Sequence, residues 1–244
     1  MMPTSFEGRF GHIRYTAKVT IDRPWKFDIN HKVAFTVLKQ MDLNYESHVL
    51  RMPTKMEIIK KFCCFCCAKP LYMSASMPVT GYVSGQSIKI SVELSNQTDV
   101  LINRVCVSLK KVIQYTSQTP RYKLREEIVN MAEVRSGSVD EYSNKSFDLE
   151  LPIPPVPPTN SSYCRVVTVS YVVQIKANTS GMHKDPYIRI PVTIGTIPLA
   201  STIPAITNGH PTAPPQQNVS PSAPAAYMAL DQKDLVNLRK LFTL

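Results

Sequence analysis

The sequence predicts an all-β protein built as an antiparallel β-sandwich, and three observations carry that prediction. The stretch QSIKISVELSN (86–96) alternates strictly, with Ile88, Ile90, Val92 and Leu94 on one face and Lys89, Ser91 and Glu93 on the other. The stretch CRVVTVSYVVQIKA (164–177) is β-branched and long enough to pair on both sides. Turn signals fall between short apolar runs, at DRP (22–24), SNQTD (95–99), SGS (136–138) and NTSG (178–181). Short strands punctuated in this way are the signature of a sandwich.

The remaining elements follow the same rules. RYTAKVTID (14–22) and KVAFTVLKQ (32–40) alternate early in the chain, and KSFDLELPI (145–153) does so through Phe147, Leu149 and Leu151. YKLREEIVNMAEV (122–134) is ambiguous, because Leu124, Ile128 and Met131 suit a helical face; its strand-rich surroundings favour a strand. From residue 200 the text turns to Pro, Ala, Ser and Thr without periodicity, which predicts a disordered tail over 200–229. LDQKDLVNLRKLFTL (230–244) recovers helical spacing through Leu235, Leu238 and Leu241 or Phe242, with Asp231 placed to cap its start.

Length and charge bound the function. A chain of 244 residues holds one or two domains. The N-terminus lacks the order of a secretory signal, and apolar runs such as VVTVSYVV (166–173) are too short to span a bilayer. An intracellular, cytoplasmic protein with reduced thiols is therefore expected. Of the net charge of +10, residues 1–69 hold +6, with 12 Lys and Arg against 6 Asp and Glu. Such a basic third is either a solvated face or a surface for acidic lipids or phosphorylated tails. Nucleic acid is not expected, because no recognition helix or RNP-type pattern accompanies the charge.

No catalytic fingerprint appears: there is no G-x-S-x-G, P-loop, H-E-x-x-H or Rossmann motif. The five histidines are scattered, and neither an enzyme nor a cofactor is expected. KKFCCFCCAKPL (60–71) places Cys63, Cys64, Cys66 and Cys67 within five residues. Four ligands so close hardly wrap one zinc ion, and no second pair follows. S-acylation suits thiols flanked by Lys60, Lys61 and Lys69, with Phe62 and Phe65 between them. The leading reading is nevertheless structural, the thiols serving as small apolar packing groups, with S-acylation the functional alternative.

Several segments, in order, resemble one family. SFEGRFGHIRYTAKVTIDRPWKFD (5–28), DLN (42–44), the cysteine cluster before Pro70-Leu71, GYVSGQSI (81–88), PIPPVPPT (152–159) and PVTIGTIPL (191–199) resemble the arrestin-domain-containing proteins, the α-arrestins. The resemblance runs from residue 5 to 199. It implies an arrestin-like, immunoglobulin-type sandwich of two lobes joined by a linker. In the family the FEG motif lies well inside the first lobe, whereas here it begins at residue 6. The resemblance thus implies a truncated member: a partial N-terminal lobe (1–62), a Cys-rich linker (63–78), a complete C-terminal lobe (79–199) and the tail. Ser84 stands where the family usually has proline, and Ala68-Lys69 where Ser-Gly is common.

For function the resemblance implies a cytoplasmic adaptor recruited to plasma membrane or endosomes, binding membrane-protein cargo. The tail carries Pro211-Thr212-Ala213-Pro214 and Pro221-Ser222-Ala223-Pro224, both P-[ST]-A-P peptides of the kind captured by the ubiquitin-E2-variant domain of ESCRT-I. A tail of this composition also produces such words by chance, and both readings stay open. Related α-arrestins recruit WW-domain ubiquitin ligases through PPxY. This chain has none, and PAAY (224–227) lacks the second proline, so ligase recruitment is not expected. A truncated regulatory fragment that pairs with full-length relatives is the alternative function.

Overall fold

The computed structural model describes residues 2–62, 69–119, 121–160 and 164–200. Two sheets face each other across one apolar core. Sheet I holds β5 (Thr54–Lys60), β6 (Leu71–Met77), β8 (Ser87–Asn96) and β11 (Ser143–Pro152) in the order β11-β8-β6-β5. Sheet II holds β7 (Gly81–Val83), β9 (Ile102–Ser117), β10 (Lys123–Arg135), β12 (Val167–Thr179) and β13 (Tyr187–Gly195) in the order β10-β9-β12-β13-β7. Neighbours are antiparallel except β7 beside β13, which is parallel.

Alternation places the core. Ile88, Ile90, Val92 and Leu94 are buried from β8, and Val169, Tyr171, Val173 and Ile175 answer them from β12. Lys89, Ser91 and Glu93 point outward, as their period requires. β12 lies between β9 and β13, paired on both sides. Residues 123–135 form a strand, and the helical spacing there is incidental. Leu124 and Ile128 face solvent, while a register shift between Asn130 and Ala132 accompanies the inward packing of Met131 and Val134.

The sandwich extends further towards the N-terminus than the expected linker allows. Leu71–Met77 is a strand, not the end of a linker reaching residue 78, because Leu71, Met73, Ala75 and Met77 alternate inward to full burial. Thr54–Lys60 pairs with it as the edge of sheet I rather than belonging to a separate first lobe. Residues 63–68 lie outside the described residues, as do 201–244, which contain the expected tail and C-terminal helix.

Two features lie outside the two sheets. A short hairpin pairs β1 (Phe6–Glu7) with β2 (His12–Ile13). A longer one pairs β3 (Tyr15–Ile21) with β4 (Ile29–Phe35), from Tyr15 opposite Phe35 to Ile21 opposite Ile29. The expected strand to residue 40 stops at Phe35. Beyond it Val37 exchanges backbone and side-chain bonds with Ser5, and the Lys39 N–H donates to Thr4 Oγ1.

Candidate functional site

The surfaces through which this fold can act are set by how residues 2–52 attach to the sandwich. The FEGRFGH stretch caps one end. Phe6 is buried in the core, and the Phe10 ring meets Tyr115 edge-on at 5.5 Å. A Cβ on Gly8 would collide with the Tyr115 hydroxyl, so this glycine permits the close approach. Tyr115 Oη donates to Glu127 Oε2 at 3.0 Å, and burial together with that carboxylate pushes its phenol pKa up. The Arg9 and Arg125 guanidinium groups lie 5.2 and 4.9 Å from the Phe10 centroid. Beside this cap opens a cavity of about 380 Å3 lined by Phe10, Tyr115, Ser117, Lys123, Arg125 and Val166.

The DLN stretch clasps the opposite run, TIGTIPL. Asp42 bridges Ile197, the Leu43 N–H donates to the Ile197 carbonyl at 3.3 Å, and the Thr196 N–H donates to the Met41 carbonyl at 2.9 Å. Asn44 closes the clasp from both sides: its Nδ2 donates to Pro198 O and its Oδ1 accepts from the Ala200 N–H, each at 2.9 Å. Leu43 is fully buried against Gly195. Two family motifs about 155 residues apart in sequence are thus one contact in space.

Ser84 explains its own departure. In the turn Val83-Ser84-Gly85-Gln86, Gly85 takes φ +89° and the Gln86 N–H donates to Val83 O. Proline would preset the turn. Serine instead clamps the proline-rich connection, its Oγ donating to Val156 O at 3.1 Å and accepting from Val156 N at 3.2 Å.

Besides the cavity at the Phe10 cap, three surfaces are open among the described residues. The outer face of sheet I forms a shallow groove of about 610 Å3 over Lys55, Glu57, Ile59, Tyr72, Ser74 and Glu93. Its polar groups are largely engaged, Lys55 with Glu57 at 2.8 Å and Ser74 with Glu93 at 3.0 Å. The free side of β5 is an edge on which an extended partner strand can add. The third surface is the β3–β4 hairpin. One face carries Tyr15, Ala17, Val19, Ile21, Ile29, His31, Val33 and Phe35, apolar but for the histidine, and the other Thr16, Lys18, Thr20, Asn30, Lys32 and Ala34. Almost every one of these side chains is exposed, apolar and polar alike. Trp25 and Phe27 at the tip are essentially wholly in solvent.

The residues singled out in sequence mostly lie beyond this geometry. Cys63, Cys64, Cys66 and Cys67 fall outside the described residues, as do both P-[ST]-A-P peptides. Of the described cysteines, Cys106 is half-buried and its thiol pKa is pushed up by burial, while Cys164 Sγ accepts from the Val167 N–H at 3.5 Å. Among the described residues no three His, Cys, Asp or Glu side chains converge as a metal site. No helix among them is long and apolar enough to cross a membrane. Asn96, which opens the N-x-[ST] glycosylation sequon Asn96-Gln97-Thr98, is 1% exposed and engaged on both amide atoms. The cap by Phe10 and the clasp by Asn44 were not singled out as contacts; the sole signal in sequence was their place in recurring motifs.

Comparison with known proteins agrees with this arrangement. Residues 67–199 match the profile of the arrestin (or S-antigen) C-terminal domain, and residues 1–44 that of the N-terminal domain. The chain is 30% identical over 216 residues to arrestin domain-containing protein 17 of Caenorhabditis elegans, covering 83% of this chain and 47% of that protein. It is 29% identical over 203 residues to arrestin domain-containing protein 4 of Homo sapiens (80% and 45%). To arrestin domain-containing protein 1 of Mus musculus it is 26% identical over 227 residues (91% and 50%). The chain therefore spans about half the length of the curated relatives it matches. With a C-terminal arrestin domain over more than half its residues and part of an N-terminal one before it, the chain belongs to the arrestin-domain-containing family.

Proposed function

We propose that this protein is a non-enzymatic adaptor in membrane-protein trafficking, cytoplasmic and recruited to plasma membrane or endosomes. It binds membrane-protein cargo through the faces and the β5 edge of its sandwich and hands that cargo to ubiquitin-linked sorting. The observation that carries the reading is the pairing of an arrestin-type sandwich with two P-[ST]-A-P peptides, Pro211–Pro214 and Pro221–Pro224, in one short tail. Two copies in tandem raise the effective concentration of the second once the first is held. The cysteine cluster serves as an acylation site that keeps the adaptor at the membrane.

The test is a cell pull-down of the intact chain beside a variant carrying Pro214→Ala and Pro224→Ala. ESCRT-I captured by the first and lost by the second supports the adaptor; ESCRT-I absent from both sinks the tail's role. Radiolabelled palmitate lost on changing the four clustered cysteines to serine supports acylation. A second reading, a regulatory fragment that pairs with full-length relatives, draws support from the exposed face of the β3–β4 hairpin, which is apolar apart from His31. Co-purification of a tagged relative that disappears on Val33→Lys favours it; equal recovery with both chains counts against it.

A further inference from the structure

We propose that the tip of the β3–β4 hairpin is a membrane-docking wedge, which seats Trp25 and Phe27 in the interface of an anionic lipid surface. The proposal rests on the adaptor reading only for the presence of a membrane, and it assigns the contact to residues outside the cysteine cluster and the tail.

Four observations converge. Trp25 is 103% and Phe27 94% exposed; among the other described rings Tyr45, at 91%, is as bare, but it does not stand beside a second bare ring on one turn. The tip is built rather than slack: Arg23 Nε and Nη2 donate to the Phe27 carbonyl at 3.1 and 2.6 Å, and the Lys26 N–H donates to Arg23 O at 3.1 Å. Trp25 holds φ +65°, a left-handed conformation that costs a bulky side chain on the order of 1 kcal/mol or more. Strain spent on presenting an indole to solvent is a mark of a contact surface. The charge is right for an anionic partner. Residues 14–39 hold Arg14, Lys18, Arg23, Lys26, Lys32 and Lys39 against Asp22 and Asp28, a net +4.

Lipid suits these features better than protein. A specific protein interface needs roughly 800 Å2 from each partner, and two rings on a turn offer a fraction of that. A bilayer interface asks for no matching shape. Indole and phenyl rings settle at headgroup depth, and each neighbouring Lys or Arg adds attraction to acidic headgroups. Strands of seven residues hold the tip roughly 23 Å beyond Tyr15 and Phe35, far enough to reach a surface.

Trp25 is the sole tryptophan of the chain, so its emission reports on the tip alone. The experiment uses the intact, unacylated chain with vesicles of phosphatidylcholine, with and without about 30 mol% phosphatidylserine. The expected result is a blue shift and quenching by brominated lipid on the acidic vesicles only. In co-sedimentation, the double variant Trp25→Ser with Phe27→Ser should bind at least about tenfold less. Lys26→Glu should bind about fivefold less or weaker still. Both variants change exposed side chains, and unaltered thermal melting shows that the fold is retained. No blue shift on acidic vesicles, in a preparation that still captures ESCRT-I, overturns the wedge and leaves the adaptor standing. A blue shift without vesicles that grows with protein concentration assigns the tip to a second copy and overturns it too. So does vesicle binding undiminished in the double variant.

Discussion

Leu43 stands so close over Gly195 that a Cβ added to the glycine would lie 2.6 Å from Leu43 Cγ and 3.0 Å from the Met41 carbonyl. The clasp between residues 41–44 and 196–200 depends on that missing methyl. Gly195→Ala should cost about 1–3 kcal/mol through overpacking. Leu43→Ala should cost about 2–5 kcal/mol through the cavity it leaves. The two share one contact, so they should not add: Gly195→Ala costs less in the Leu43→Ala background. Urea unfolding of the four chains measures this, and strict additivity would show that the two residues act separately.

Asn96 is the second internal fastener. Its Nδ2 donates to the carbonyls of Val100 and Asp140 at 2.9 and 3.0 Å, and its Oδ1 accepts from Thr98 N and Thr98 Oγ1. With 1% of its surface exposed, the amide makes four bonds and meets no water. Asn96→Ala removes all of them and should destabilise the sandwich by about 2–4 kcal/mol. The same geometry predicts that Asn96 is not glycosylated even when the folded chain is offered to the glycosylation machinery. Mass spectrometry of such a sample tests it, and glycan at Asn96 on folded protein would contradict the burial.

How far the sequence carries can be read from particular strands. β8 and β12 are legible because a buried face and a wet face, or two paired edges, leave their period in the residues. β6 is not, since Tyr72, Ser74 and Ser76 alternate with Met73 and Ala75, a weak contrast lying beside the cysteines. β13 carries Pro191 at its centre, where sequence rules expect no inner strand. Pro191 pairs with Val172 of β12, but the parallel contact with β7 begins only at Thr193, so on its other side β13 is still an edge at this proline. In the hairpin, alternation announced two strands. The strands are there, but a covering for their mainly apolar face is not among the described residues, and no local pattern states what a face packs against. The FEG and DLN motifs were visible as words; that FEG packs on Tyr115 and DLN on the run after β13 depends on contacts between residues far apart in sequence, 155 apart from Met41 to Thr196.

Acid should loosen the β12–β13 connection first through Asp185. Partial burial raises its pKa, but bonds from Lys176 Nζ at 2.7 Å and from Thr179 N and Oγ1, each at 2.9 Å, outweigh it and hold the carboxyl below its ordinary value of 3.8. A carboxyl whose pKa is lower folded than unfolded adds stability at pH above the unfolded value, and that stability is lost as pH falls through the folded one. Asp185→Asn should therefore cost about 1 kcal/mol at neutral pH, the Lys176 partner being partly solvated. The gap between variant and native chain should close below about pH 4. Urea midpoints of both chains across that range test the sign; a gap that widens in acid would refute the assignment.

The β3–β4 hairpin should be the first described segment to yield to protease. A two-stranded ribbon exposed on both faces is marginally stable, whereas β5 is laddered to β6 and residues 41–52 are held by the clasp and by the Thr80 N–H on the Leu50 carbonyl. Trypsin should cut after Lys18, Lys26 and Lys32, with Arg23 spared by the proline that follows it. Cleavage after Lys55 or Lys60, in the strand that edges the core, should lag by at least about tenfold, since it requires opening of a laddered strand. Mass spectrometry of a time course separates the two sets, and cuts beyond residue 200 do not enter the comparison. Equal rates would mean that the hairpin is covered in solution. Because Val19, Val33 and Phe35 make up the face that a cover must touch, protection lost on Val33→Lys would then locate the covering surface there.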